Sequence, residues 1–178
     1  MRRQLRRFVV PSVLLGLACL PVGAAQSPDL AVNHWTRAAE MVTARAAACS
    51  ALLPDGRLLL AGGEDQAGAS RSAELLGANG VFASIAPMSI ARAGAACVAL
   101  QDGRVLVSGG SDGISALRSI EIYDPAKNTW TSAGAMSVPR SGHAATLLPW
   151  GSVLLVGGDE SGMVEAFNPI RGDVQVGS

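Results

Sequence analysis

A pair of glycines recurs at Gly62–Gly63, Gly109–Gly110 and Gly157–Gly158, at steps of 47 and 48 residues. Met41, Met88 and Met136 keep those steps, and so do Arg45, Arg92 and Arg140. An aromatic position keeps them too, as Trp35, Phe82 and Trp130. Glu74, Glu121 and Glu165 follow at 47 and 44, because the third copy is four residues shorter after its glycines. Five residue classes in phase over three copies mark a repeat. Such a chain folds by stacking units, since no single unit buries its apolar face alone.

Each copy reads as four short strands. "AACSALL", "GAACVAL" and "GHAATLL" are small and apolar throughout, which predicts first strands buried on both faces. "RLLLAGG", "RVLVSGG" and "SVLLVGG" follow after tight turns, set by Asp55–Gly56 and Asp102–Gly103 and, more weakly, by Trp150–Gly151. The third strand alternates, most clearly in "SIEIYDP", and stops at Asp124–Pro125. The fourth carries the aromatic in "NTWTSAG". No segment after residue 25 shows helical periodicity beyond a turn.

Paired glycines, then Glu121-x-Tyr123-Asp124-Pro125, then Trp130, then Met136 and Arg140 before the next strand resemble the Kelch repeat. The resemblance spans about residues 31–178, with Leu76 and Phe167 in place of Tyr123 in the flanking copies. It implies an all-β propeller of four-stranded antiparallel blades, at about 46–84, 93–132 and 141–178, with an extra strand at about 31–37. The glycines then end a strand where backbone crowds in, Trp35 and Trp130 fill the space between blades, and the turn at Asp124–Pro125 closes the third strand. Propellers of this kind close with roughly six or seven blades. Three are counted here. The repeat arithmetic and an end at "VQVGS" favour the front part of a longer propeller. The alternatives are a homodimer that assembles a six-bladed ring and a compact three-bladed form.

Residues 1–25 have the layout of a secretory signal peptide: Arg2, Arg3, Arg6 and Arg7, an apolar stretch from Phe8 to Leu20, then Gly23 and Ala25 before a cleavage point. The expected location is therefore secreted or periplasmic. Removing the leader leaves ten basic and fourteen acidic residues, a net charge near −4. That balance offers no footprint for nucleic acid, and no membrane span follows the leader. Cys49 and Cys97 remain, in first strands of consecutive blades but offset by one repeat position. On the rule that neighbouring positions point to opposite faces, no disulfide is expected between them.

The loops after the paired glycines share one face with the connectors between blades. That face carries Glu64, Asp65, Asp112, Asp159 and Glu160, an acidic rim suited to a cation or a basic ligand. The simpler account is solvated loops, or pairing of these acids with Arg45, Arg92 and Arg140 within each blade. Glu74, Glu121 and Glu165, at equivalent positions, call for a structural partner, an arginine or backbone amides. His143 stands where the other copies have Ala48 and Ala95, so it is the best single candidate for a specific contact, the simpler account being a satisfied core histidine. His34 lies before the first repeat, and two separated histidines make no zinc site. "RGD" at Arg171–Asp173 falls in register with a blade turn.

No catalytic constellation is visible. Tyr123 is the only tyrosine, so the copper-radical chemistry of galactose-oxidase-like propellers lacks its residues, and no cofactor or metal is implied. The reading is an exported Kelch-repeat binding module whose loops face an unknown protein or carbohydrate ligand. The alternative is a fragment of an exported carbohydrate-active or other propeller enzyme whose catalytic residues lie outside this chain.

Overall fold

The computed structural model describes residues 38–176. The leader, His34 and the extra strand around Trp35 lie outside the described residues. Fourteen strands follow: β1 Cys49–Leu52, β2 Leu58–Ala61, β3 Glu64–Asp65, β4 Gly68–Ala69, β5 Ala73–Leu76, β6 Phe82–Ser84, β7 Ala96–Ala99, β8 Val105–Ser108, β9 Leu117–Asp124, β10 Thr129–Arg140, β11 Ala144–Leu147, β12 Val153–Val156, β13 Val164–Asn168 and β14 Asp173–Val176. They form three antiparallel sheets, β1-β2-β5-β6, β7-β8-β9-β10 and β11-β12-β13-β14, here called blades 1, 2 and 3. Strands β3 and β4 make a small hairpin in the loop after Gly63. Among the described residues every regular element is a strand, and the three sheets are four-stranded antiparallel meanders, as the repeat predicts for propeller blades.

Local chemistry explains the turns. Gly56 and Gly103 both adopt φ +84°, a left-handed conformation that favours glycine, and Gly151 does so at +89°. Asp55 and Asp102 accept the backbone N–H of the arginine two residues on, which closes each Asp-Gly turn. β10 is longer than the fourth strand read from the sequence. It continues past a bulge at Ala133 and runs through the connector to Arg140, pairing with Leu117 of β9.

Two apolar layers hold the blades together. The first packs Cys49, Ala51, Leu59, Ala61, Ala73 and Leu75 of blade 1 against Val105, Val107 and Tyr123 of blade 2. The second packs Leu106, Ile120 and Ile122 of blade 2 against Val153, Leu155 and Phe167 of blade 3. Neighbouring residues of one strand thus serve different junctions: Val105 and Val107 look back to blade 1, and Leu106 looks forward to blade 3. Each blade has an entry face toward the preceding blade and an exit face toward the next. Trp130 packs against the first layer, its ring 4.9 Å from that of Tyr123, and its indole N–H donates to Ala86 O at 2.7 Å.

Two expectations are corrected by this arrangement. First strands are not all buried on both faces: β1 alternates buried and exposed, and β11 alternates exposed and half-buried. Among the described residues only blade 2 has a blade on each side. Cys49 and Cys97 are joined by a disulfide, with Cα atoms 5.4 Å apart. The one-residue offset predicts cysteines turned apart, but that rule holds within one sheet. Between stacked blades, the exit face of one meets the entry face of the next, so an offset of one position brings the two thiols together.

Candidate functional site

The face that carries the post-glycine loops rests on a repeated ionic framework. Arg45 donates to Glu74 at 2.5 Å, Arg92 to Glu121 at 2.6 Å and Arg140 to Glu165 at 2.9 Å. All six side chains are almost wholly buried. Each guanidinium also donates to the carbonyl of the first paired glycine in its own blade: Gly62 at 2.8 Å, Gly109 at 2.8 Å and Gly157 at 2.7 Å. The carboxylates in turn accept backbone N–H groups from the incoming connector, at Val42 and Thr43, at Ser89 and at Ser137. The charges are therefore paired and hydrogen-bonded, the condition under which burial is tolerated. Burial works to raise the pKa of Glu121 and Glu165, but the serine and arginine donors outweigh it and hold both below the usual carboxylate value.

The paired glycines are needed where the connector crosses them. A Cβ on Gly63 would lie 2.6 Å from Ala46 O, and one on Gly110 would lie 2.8 Å from Ala93 O. Gly63 donates its N–H to Arg92 O of the next blade, and Gly110 to Arg140 O. Each arginine of blades 2 and 3 thus serves twice: its carbonyl ties down the preceding blade and its guanidinium organises its own.

The acidic rim does not converge. Asp65 Oδ1 accepts the N–H of Ala67, and Asp112 Oδ1 accepts those of Ile114 and Ser115, so these carboxylates shape their own loops. Asp159 Oδ2 accepts from the N–H and hydroxyl of Ser161, and Oδ1 pairs with Arg140 at 2.5 Å. Those donors hold Asp159 below its usual pKa, led by the Ser161 hydroxyl, and the backbone N–H groups of Ser115 and Ile114 do the same for Asp112. The arginine-to-rim pairing considered from the sequence is thus present in blade 3 alone. Among the described residues, no group of three His, Cys, Asp or Glu side chains could hold a metal ion. Glu160 is exposed at its loop tip, and so is Ile114, whose surface is 93% accessible. Arg171 and Asp173 form an exposed pair at 3.3 Å in the β13–β14 turn.

His143 lies at the junction of blades 2 and 3, 8% exposed, with Nε2 2.8 Å from Ser108 Oγ. Its Nδ1 is buried and has no hydrogen-bond partner among the described residues. Burial, with Arg140 nearby, lowers its pKa to about 4, so the ring is neutral at pH 7. The pair with Ser108 has two of the groups of a nucleophilic site, but no carboxylate orients the ring and Ser108 is fully covered. The sequence reading missed this pair. The signal was present: Ser108 is the one polar residue at a position otherwise filled by Ala61 and Val156, just as His143 stands among alanines.

The Kelch motif family model matches residues 91–137, the whole of the middle repeat. The solved structure of YjhT is similar in fold, with a TM-score of 0.63 at 15% identity, over 78% of this chain and 53% of that one. The chain therefore spans about half the length of that structure. No curated protein matches the sequence. The middle repeat is thus a Kelch motif, and the flanking blades repeat its crossed paired glycines and buried arginine–glutamate pairs on a propeller-like fold.

Proposed function

We propose that the chain is an exported binding module that engages a protein partner through the loops following its paired glycines. One observation carries the reading. Three blades repeat the same buried arginine–glutamate framework, while the loops above it differ: a β3–β4 hairpin after Gly63, an Asp112 turn bearing Ile114, and a shorter Asp159 turn bearing Glu160. A rigid scaffold with divergent loops on one face is the usual geometry of recognition. Ile114, 93% exposed at its loop tip, has no role in the framework and is free to be a contact residue.

Export is supported by the arginine-led apolar leader and by the Cys49–Cys97 disulfide, since such bonds persist in oxidising compartments. Among the described residues, no helix is long and apolar enough to cross a membrane. The test has two arms. Residues 1–30 fused to alkaline phosphatase, which is active only after export, should give activity that is lost when the four leader arginines become glutamate. The purified chain is then screened on an array of envelope proteins and oligosaccharides. A hit weakened at least tenfold by Ile114→Ser with Glu160→Gln, and untouched by Lys127→Ala at the opposite end, supports the reading. Binding insensitive to the loop variants sinks it.

A further inference from the structure

The two end blades each leave one sheet face uncovered among the described residues, and the open faces are opposite in kind. On the exit face, Ala61 of blade 1 and Ser108 of blade 2 are fully buried, whereas Val156 at the same position of blade 3 is 41% exposed. Ala73 and Ile120 are buried there, and Val164 is exposed. On the entry face, Leu52 of blade 1 is 66% exposed, whereas Leu147 in blade 3 is half-buried against blade 2. Met88 and Met136 are buried plugs in the two junctions, and Met41, in phase with them, is 39% exposed.

The backbone repeats the same asymmetry. At the first junction, Gly62 lies under Met88 Cε and Arg92 O, and Gly63 donates to Arg92 O at 2.9 Å. At the second, Gly109 lies under Met136 Cε and Arg140 O, and Gly110 donates to Arg140 O at 2.8 Å. Blade 3 ends in the same glycine pair, and no atom lies within 4 Å of where a Cβ on Gly157 would sit. Blade 1 begins with the complementary pair, Met41 and Arg45. One chain therefore carries both halves of a further junction, and blade 2 keeps them apart.

We propose that two copies of this chain associate head to tail, the exit face of blade 3 in each against the entry face of blade 1 in the other, closing a six-bladed ring about a two-fold axis. The occupant is a second copy because the chain's own blade 3 bears the face that its own blade 1 lacks, at the spacing used twice already. Two copies of the span matched to YjhT also make up the length of that structure. Covering these faces removes the exposed apolar rows of Leu52 and Met41 on one side and of Val156 and Val164 on the other. The proposal stands independently of the loop-face reading.

The geometry names the contacts. Repeating the Cys49–Cys97 relation at the new junction sets Ala144 of one copy against Ser50 of the other, both exposed within one chain. Repeating the Ser108–His143 relation sets Val156 against Ala48. The full chain is therefore weighed by light scattering after size exclusion, and a Ser50→Cys/Ala144→Cys double variant is oxidised and run on a non-reducing gel. The expected result is a two-chain mass and a covalent dimer, with peptide mapping joining the two introduced thiols. Neither single variant should cross-link, because each position faces the other and not itself. Val156→Arg should shift the mass to one chain while the circular dichroism of the fold persists. A one-chain mass for the unaltered protein, cross-linking by Ser50→Cys alone, or a covalent ladder beyond the dimer overturns the proposal.

Discussion

Cys49 of β1 and Cys97 of β7 are bonded across the junction of blades 1 and 2, so one covalent link fastens two sheets that share no strand hydrogen bonds along their edges. The link spans 48 positions of sequence. A loop of that length restrains the unfolded chain by about 4 kcal/mol in the chain-entropy account, and measured values for such links are commonly about 2–4 kcal/mol. Replacing both cysteines by alanine is expected to lower the free energy of urea unfolding by that amount. Adding reductant to the unaltered protein should reproduce the loss. Equal stability with and without reductant would show that the bond does not form in solution.

Glu121 is the best site to weigh the ionic framework, because its carboxylate takes Arg92 on one oxygen and both the N–H and hydroxyl of Ser89 on the other. Glu121→Ala strands a buried guanidinium and a buried amide, a loss of about 3–5 kcal/mol. Arg104→Ala removes an ion pair of similar length, to Asp102 at 2.7 Å, but that pair is open to solvent and the turn bond from the residue-104 backbone N–H stays. Its loss should cost about 0.5 kcal/mol. Urea denaturation of the two variants side by side tests the contrast. Similar losses would mean that the buried pair adds no more than a surface one.

The framework was legible in the sequence because its demands are local and recur in phase. A glycine under a crossing backbone, an arginine before a first strand and a glutamate in a third strand mark their positions three times over, at Gly63, Arg92 and Glu121 and their counterparts. Relationships across junctions were not legible in the same way. The offset of Cys49 and Cys97 argues against a bond if both are placed on one sheet, and for a bond once facing sheets are recognised. Ser108 and His143 break the repeat in different blades, and only the stacking of blade 3 on blade 2 brings them to 2.8 Å. For the rim acids the sequence leaves a ligand-facing rim beside the simpler account of solvated or arginine-paired loops, and in the structure Asp65, Asp112 and Asp159 each turn back to their own loop, as short Asx turns do.

His143 makes stability depend on pH in a definite direction. Its folded pKa, about 4, lies below the ordinary 6.5, because burial and Arg140 disfavour the charged ring. Stability from this group is fully present above pH 6.5. It falls as pH drops from there toward 4, where the unfolded chain takes up a proton that the folded chain refuses. The whole limb amounts to roughly 3 kcal/mol. His143→Ala, which restores the residue type of the other blades, should flatten the curve between pH 7 and 5, read from urea midpoints. Glu121 and Glu165, held below the ordinary 4.5, add a separate loss only at more acid pH. An unchanged slope in His143→Ala would place the titration elsewhere.

Two glycines with nearly the same backbone angle separate conformational strain from crowding. Gly103 in the β7–β8 turn has φ +84°, and a Cβ there would meet nothing within 4 Å. Gly110 has φ +87°, but a Cβ there would lie 2.8 Å from Ala93 O and 3.0 Å from Ala95 N, both backbone atoms of the connector. Gly103→Ala should therefore cost only the left-handed penalty, about 1–2 kcal/mol. Gly110→Ala adds a clash that side-chain motion cannot relieve, because Gly110 also donates to Arg140 O and is held from both sides. Overpacking of this kind adds roughly 1–3 kcal/mol to the same penalty. The difference between the two variants, measured by urea unfolding in one buffer, isolates the close approach of the connector. Equal losses would mean that the paired glycines are there for their dihedral angle alone.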